Sequence, residues 1–207
     1  DEVILIHEAT GKTIKPGALP ISEGITVFNV ETIYNVYNAL SGTPVTHKLV
    51  TVAGEINNPM TLYVPIGISI GELIDHAGGS TLEDYEIVLG GPMMGNIGSR
   101  YDVVTKTTNA VLLLPCDHII VKKKFENTSI DIKRAMAACC QCTYCTDLCP
   151  RNLLGHPIDP AYFMLVVSHA MEKEPYLDAA YCCSCGLCEM YSCGQGLSPR
   201  TLLAAAK

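Results

Sequence analysis

The sequence lacks any stretch that would cross a bilayer as a helix. No run approaches the ~18 to 20 apolar residues a span needs, and the most apolar helical candidate, Ala161 to Met171, ends too soon. Positive charge is also scarce: 14 Lys and Arg against 21 Asp and Glu leave a net charge of −7. That balance argues against nucleic acid as a partner, and Lys122-Lys123-Lys124 reads as a solvated strand end, not a phosphate-binding patch. A secretory signal is missing, and the chain is not a short secreted one. Its 11 cysteines are an odd number, so a disulfide framework fits poorly and so many thiols imply a reducing compartment. The composition of a disordered chain is missing as well. With 48% hydrophobic residues in 207, there is enough apolar material for one large core or two small ones. Neither an initiating methionine nor a targeting segment opens the chain, which reads as part of something longer.

What is present is concentrated near the end. Cys139-Cys140-Gln141-Cys142-Thr143-Tyr144-Cys145-Thr146-Asp147-Leu148-Cys149-Pro150 reads C-x2-C-x2-C-x3-C-P, the spacing of bacterial iron–sulfur ferredoxins. It is answered by Cys182-Cys183-Ser184-Cys185-Gly186-Leu187-Cys188 and then Cys193. Three cysteines at three-residue intervals let one tight loop present three thiolates to a cubane. In two-cluster proteins the fourth ligand comes from the other motif. The pattern therefore predicts one [4Fe-4S] cluster on Cys139, Cys142, Cys145 and Cys193, and another on Cys182, Cys185, Cys188 and Cys149. Structural zinc would require two well-separated C-x2-C pairs closing one tetrahedral site. Thioredoxin-like chemistry would require a strand and a single reactive pair. The second motif has four residues before its last cysteine where the first has three, and Gly194 where the first has Pro150. Cys140 and Cys183 stand one place after the first ligand of each run; they are alternative ligands or small buried hydrophobes beside the cluster.

The remainder reads as α+β. Val3 to Ile6 and Ile25 to Phe28 are β-like runs split by turn residues at Gly11, Pro16-Gly17 and Pro20. Asn29 caps a helix from Val30 to Leu40, with Ile33, Val36, Tyr37 and Leu40 on one face and Gly42 as its stop. Strands follow at Lys48 to Ala53 and Thr61 to Val64, around a turn at Asn57-Asn58-Pro59. Ser69 and Glu72 form a capping box opening a short helix that Gly78-Gly79 closes. A strand from Glu86 to Leu89 leads into Gly90-Gly91-Pro92-Met93-Met94-Gly95, which is either a tight turn or a backbone loop that approaches a ligand. Short strands are expected at Ala110 to Leu114 and His118 to Val121, with Cys116 structural. Thr128 and Asp131 cap a helix that delivers Cys139. Asp159 and Pro160 open a buried helix from Ala161 to about Glu172, on which His169 is a core histidine. Ser198-Pro199 opens the last helix, to Lys207.

The order of an Asn-Val-Glu-Thr helix, a β-grasp-like module, the Gly-Gly-Pro-Met-Met-Gly loop and paired ferredoxin motifs resembles the family of RnfC-like electron-transport proteins and cobalamin reductases. The resemblance covers essentially the whole chain. Leu148 to His156 and Gly196-Leu197-Ser198-Pro199-Arg200 look closer to the cobalamin-reductase branch. Residues 48 to 79, with Gly54-Glu55, Pro59, Gly67 and Ala77-Gly78-Gly79, resemble an SLBB domain.

The resemblance implies three segments: the tail of a flavin-binding-type domain (1–46), an SLBB β-grasp-like module with flanking strands (47–125), and an α-helical two-[4Fe-4S] ferredoxin-like domain (126–207). It implies that Asn29, Glu31 and Thr32 lie near a flavin. The glycine-rich flavin and NADH loop of the family is not in this sequence, so FMN and NADH are expected only in a longer parent. Implied partners are that flavin domain, an acceptor that is a corrinoid or a ferredoxin, and a corrinoid enzyme or microcompartment shell protein. The implied location is cytoplasmic, within a microcompartment or peripheral to a membrane complex. The expected chemistry is a one-electron relay from flavin through two clusters; the rival is a docking module whose clusters are structural.

Overall fold

The structure is a computed structural model, and it describes residues 1–125, 127–169 and 179–206. The chain divides into two compact units: residues 28–125, and residues 1–27 together with 126–207. This division runs across the three expected segments, because residues 1–27 pack with the C-terminal part.

In the first of these units five strands form one mixed sheet: β1 (His47–Gly54), β2 (Met60–Pro65), β3 (Tyr85–Leu89), β4 (Asn96–Gly98) and β5 (Ala110–Pro115). The order is β2-β1-β5-β3-β4, with β1 and β5 parallel and every other pair antiparallel. β1 alternates buried and exposed residues as a half-covered strand should. Its Val50 and Val52 join Val111 and Leu113 of β5 beneath a short helix carrying Ile70, Leu73 and Ile74, all buried. That helix, α3 (Ile70–His76), begins at the expected capping box: the Ser69 hydroxyl accepts from the Glu72 amide while the Glu72 carboxylate accepts from the Ser69 amide. Gly54 is required where β1 ends. It adopts φ of 93°, and a Cβ there would lie 2.1 Å from the Leu113 carbonyl oxygen.

The helix after Asn29, α2 (Val30–Leu40), forms as expected, with the Asn29 side chain accepting from the Glu31 amide. Its apolar face is exposed, Ile33, Val36, Tyr37 and Leu40 included. The anticipated strand at His118 to Val121 is instead α4 (Ile119–Lys124), capped by His118, whose Nδ1 accepts from Ile120 N. Pro115 ends the preceding strand and an N-cap starts a helix. A four-residue apolar run carries no periodicity strong enough to tell the two apart. The three lysines are therefore the last turn of a helix, and Lys123 is buried. Cys116 is exposed in the intervening turn, so it has no packing role.

The second unit opens with α1 (Glu2–Thr10), where a β-like run was expected. Asp1 caps it by accepting from Val3 N, and Val3 and Ile6, three apart on one helical face, pack on Ile14 with Leu154 beside them. Residues 25–28 are not a strand; Ile25 and Val27 lie against that cluster. α5 (Thr128–Ala138) is capped by Asn127, one residue before the expected Thr128, and ends at Cys139. α6 (Tyr144–Asp147) is a single turn within the first cysteine run, and α7 (Pro150–Leu153) a single turn directly after its last cysteine. α8 (Pro160–His169) starts with Asp159 accepting from Tyr162 N. The rest of the helix expected to reach Glu172 lies outside the described residues. His169 is exposed and its Nδ1 is 3.0 Å from the Leu165 carbonyl oxygen, so it is not a core histidine. α9 (Pro199–Ala205) closes the unit; Ser198 is buried and its side chain makes no capping bond. Phe163, Met164, Leu202 and Leu203 build a core directly beneath Cys139, Cys182 and Cys193.

Candidate metal centres

The two cysteine loops repeat their backbone as well as their spacing. Gln141 and Thr143 take positive φ of 54° and 65°, and Ser184 and Gly186, at the equivalent places, take 56° and 85°. Left-handed residues are costly for side chains with a Cβ, most of all for a β-branched threonine. They persist where surrounding structure enforces them, as ligand-clamping loops do. Here they curl each loop so that its cysteines turn inward. The extra residue in the second repeat is absorbed by a π-helical turn, Cys188–Ser192, in which the Ser192 hydroxyl donates to the Cys188 carbonyl. The sequence shows the insertion but not this solution.

Each loop faces a cavity walled by thiols. One, of about 180 Å³, is lined by Cys139, Cys140, Cys142, Cys145 and Cys193, together with Ala161, Met164 and Leu197. The other is tighter, about 20 Å³, and is lined by Cys149, Cys182, Cys185 and Cys188, with Cys183, Ile158 and Leu203. Each wall thus combines four cysteines of one repeat, Cys140 or Cys183 among them, with one of the other. Helix α8 stands at both cavities through Pro160, Ala161 and Met164. All eleven cysteines are free thiols. Among the described residues no three His, Cys, Asp or Glu side chains draw together as for a single metal ion; the thiols surround a volume.

Hydrogen-bond donors already point at the sulfurs. Gln141 Nε2 donates to Cys139 Sγ at 3.2 Å, Leu197 N to Cys193 Sγ at 3.3 Å and Ser184 N to Cys182 Sγ at 3.4 Å. The amides of Arg151 and Asn152 serve Cys149 in the same way, and the amide of Leu187 serves Cys185. Burial pushes the Cys145 thiol up to about 12 and raises Cys149 and Cys188 as well. Cys185 goes the other way, down to about 7, chiefly through a hydrogen bond from Cys183. Five thiols on each wall, enough to supply the four a cubane needs, inward-curled loops, amides aimed at sulfur and an apolar backing fit an iron–sulfur cubane, whose cysteine ligands are deprotonated and hydrogen-bonded.

Sequence reasoning missed the charged groups at the second cavity. Arg151 and Arg200 both line it. Arg200 pairs with Glu189, which is buried next to Cys188. Glu189 Oε1 accepts from Arg200 Nε at 2.8 Å, and its Oε2 accepts from the Thr201 amide and hydroxyl, each at 3.1 Å. Arg151 pairs with Asp1 and donates toward His156 Nδ1, while His156 Nε2 donates to the Ile14 carbonyl at 3.0 Å. One signal was available: Pro-Arg opens both α7 and α9.

Asn29, Glu31 and Thr32 line a separate open groove of about 520 Å³ in the sheet unit, together with Lys48, Lys106 and Asn109. Two of the three are already engaged. Asn29 caps α2, and Glu31 accepts from Leu49 N at 3.1 Å and faces Lys48 Nζ at 3.4 Å.

Comparison with known proteins identifies two domains. Residues 49–96 match the SLBB domain and residues 138–198 match the 4Fe-4S dicluster domain. The chain is thus an iron–sulfur protein of mixed α/β fold, with an SLBB domain followed by a dicluster domain for two [4Fe-4S] clusters. It is a homologue of cobalamin reductase PduS: it is 40% identical to the Citrobacter freundii protein over 203 residues, which cover 96% of this chain and 45% of that relative. The PduS of Salmonella typhimurium gives the same identity and coverage. The RnfC-like relative from Acetobacterium woodii, a component of its Na(+)-translocating ferredoxin:NAD(+) oxidoreductase complex, is 32% identical over 153 residues, 72% of this chain and 32% of that one. The chain thus spans about 45% of the length of the PduS relatives it matches. In fold it resembles a chain of an NAD+-reducing [NiFe]-hydrogenase, with a TM-score of 0.53 at 15% identity over 99% of this chain and 38% of that one. Among the described residues no helix is long and apolar enough to cross a membrane.

Proposed function

We propose that Cys139, Cys142, Cys145 and Cys193 hold one cluster and Cys182, Cys185, Cys188 and Cys149 the other, and that the pair relays single electrons from an NADH-reduced flavin in a longer parent to a corrinoid. The observation that carries the ligand assignment is that each wall gathers the cysteines of one repeat together with the last cysteine of the other, Cys193 in the first cavity and Cys149 in the second. When bound, a [4Fe-4S] cluster stores and passes one electron without breaking a bond. The chain's own contribution is to supply thiolates, to aim amides at them and to exclude water with Ala161, Met164, Ile158 and Leu203. A corrinoid is favoured as acceptor because PduS relatives match over 96% of the chain, whereas the ferredoxin:NAD(+) oxidoreductase component matches over 72%. A cytoplasmic or microcompartment location follows from the same kinship. The groove lined by Asn29, Glu31 and Thr32 is then the side turned to the flavin, with Thr32 placed to meet it and Asn29 and Glu31 holding the helix in place.

Anaerobic protein should contain about eight iron atoms per chain and show two interacting paramagnets on reduction. Cys149→Ser and Cys188→Ser should each halve the iron and leave the same residual EPR signal. Cys193→Ser and Cys142→Ser should leave the complementary one. If Cys149→Ser instead matched Cys142→Ser, the crossed assignment would be wrong. NADH-driven reduction of ferredoxin but not of cobalamin, after joining the flavin-bearing part, would move the chain to the other branch of its relatives.

A further inference from the structure

The two thiol-lined cavities differ in charge. Among the described residues no charged side chain lines the first, whose polar wall residues are Gln141, Thr143, Tyr144, Ser192 and Gln195 besides the cysteines. Arg151 and Arg200 both line the second, while their carboxylate partners, Asp1 and Glu189, do not. Each ion pair therefore sets its guanidinium on the cavity wall, while the Glu189 carboxylate, beside Cys188, acts on that thiol in the opposite sense. The pair at Arg200 is also rigid: the Glu189 side chain is 1% exposed, and its two oxygens are held by the guanidinium, the Thr201 amide and the Thr201 hydroxyl.

We propose that Arg200, oriented by Glu189 and assisted by Arg151, raises the reduction potential of the cluster held by Cys149, Cys182, Cys185 and Cys188. Uptake of one electron adds one unit of negative charge to that centre and breaks no bond, so a fixed positive end beside it favours the reduced state. Burial works against this, because a more negative cluster is harder to hold away from water. The same burial also strengthens the field of a nearby guanidinium, since Coulomb interaction grows as the local dielectric falls. The first cavity, with Cys140 and Cys142 exposed, has better access to water but no cation among the described residues of its wall. Hydrogen-bond donors reach sulfurs of both sets, Gln141 and Leu197 in the first and Arg151, Asn152, Ser184 and Leu187 in the second, so the asymmetry lies in the guanidinium groups.

The inference rests on the crossed ligand assignment proposed above, and its test separates the two. Potentiometric EPR titration with dithionite is run on full-length chain first shown to hold a full iron complement; a chain with no clusters overturns the assignment itself, not the tuning. Arg200→Gln should lower the midpoint of one cluster and leave the other in place. Glu189→Gln, which keeps the cation and removes its counter-charge, should raise the midpoint of that same cluster. Arg200→Lys should restore it most of the way. Cys142→Ser identifies the shifted signal as that of the second set. A purely structural pair would move both variants in the same direction or leave both midpoints unchanged, and either result overturns the proposal. So does an equal shift of the two clusters.

Discussion

Lys48 offers a test of how the sheet unit is held at its groove. Its side chain is 4% exposed, and Nζ donates to the Lys106 carbonyl and to Asn109 Oδ1, each at 2.8 Å, while facing Glu31 Oε2 at 3.4 Å. Lys48→Met keeps the apolar stem and removes the cation. Removing one partner of a fully buried ion pair costs about 3 to 5 kcal/mol, against about 0 to 1 for an exposed pair. The Glu31 side chain is 26% exposed, which puts this pair in the lower half of that interval. The two acceptors left behind add roughly 1 kcal/mol each at most, because the open groove lets water reach them. A total of about 3 kcal/mol is expected, on the order of a hundredfold in an opening equilibrium. Having no tryptophan, the chain gives no native tryptophan signal, so the assay is hydrogen exchange read by mass spectrometry on peptides of β1 and β5. Exchange there should accelerate about a hundredfold, with peptides of the cysteine loops unaffected. Glu31→Gln, which retains an oxygen for Leu49 N, should cost about 1 kcal/mol. Exchange rates in Lys48→Met within a factor of two of the parent would refute the reasoning.

Gly54→Ala should destabilise the sheet unit by at least about 2 kcal/mol, because the left-handed backbone is strained and the new methyl meets the Leu113 carbonyl; urea denaturation followed by circular dichroism measures it. Ser69→Ala removes the N-cap of α3 and should cost about 1 kcal/mol in the same assay. The Glu72 carboxyl is held below its ordinary value of 4.5, first by the Ser69 hydroxyl and then by the Ser69 amide. Its contribution is therefore complete above about pH 4.5 and lost as pH falls through the lower folded value, so the protection factors of α3 amides, corrected for the intrinsic pH dependence of exchange, should fall over that acid range and stay flat above pH 5. In metal-free protein at pH 7, Cys185 should alkylate well before Cys145 and Cys188, whose thiols burial keeps protonated; equal rates by mass spectrometry would contradict the cavity geometry.

Much of the site was legible because its chemistry is written in spacing. The cysteine intervals, the capping box at Ser69 and Glu72, and the Asn29 cap all depend on residues within a few positions of one another, and each appears where the sequence puts it. The short apolar runs at Val3 and His118 pointed to strands and form helices, because four hydrophobic residues have no resolvable period and a cap decided the outcome. Lys48 was invisible as a clamp, since its partners lie 58 and 61 residues away. The same holds for Arg200 on Glu189, eleven residues apart across the π-turn. Charges that meet only through tertiary packing leave no local trace, which is why the polarity of the second cavity had to be seen in three dimensions.

The interleaving of the two walls has a consequence for engineering. On the crossed assignment proposed above, each loop lends a sulfur to the cluster of its sibling. Deleting, transplanting or redesigning one half would then strip the other of a corner, so engineering must treat the tandem as a single indivisible part.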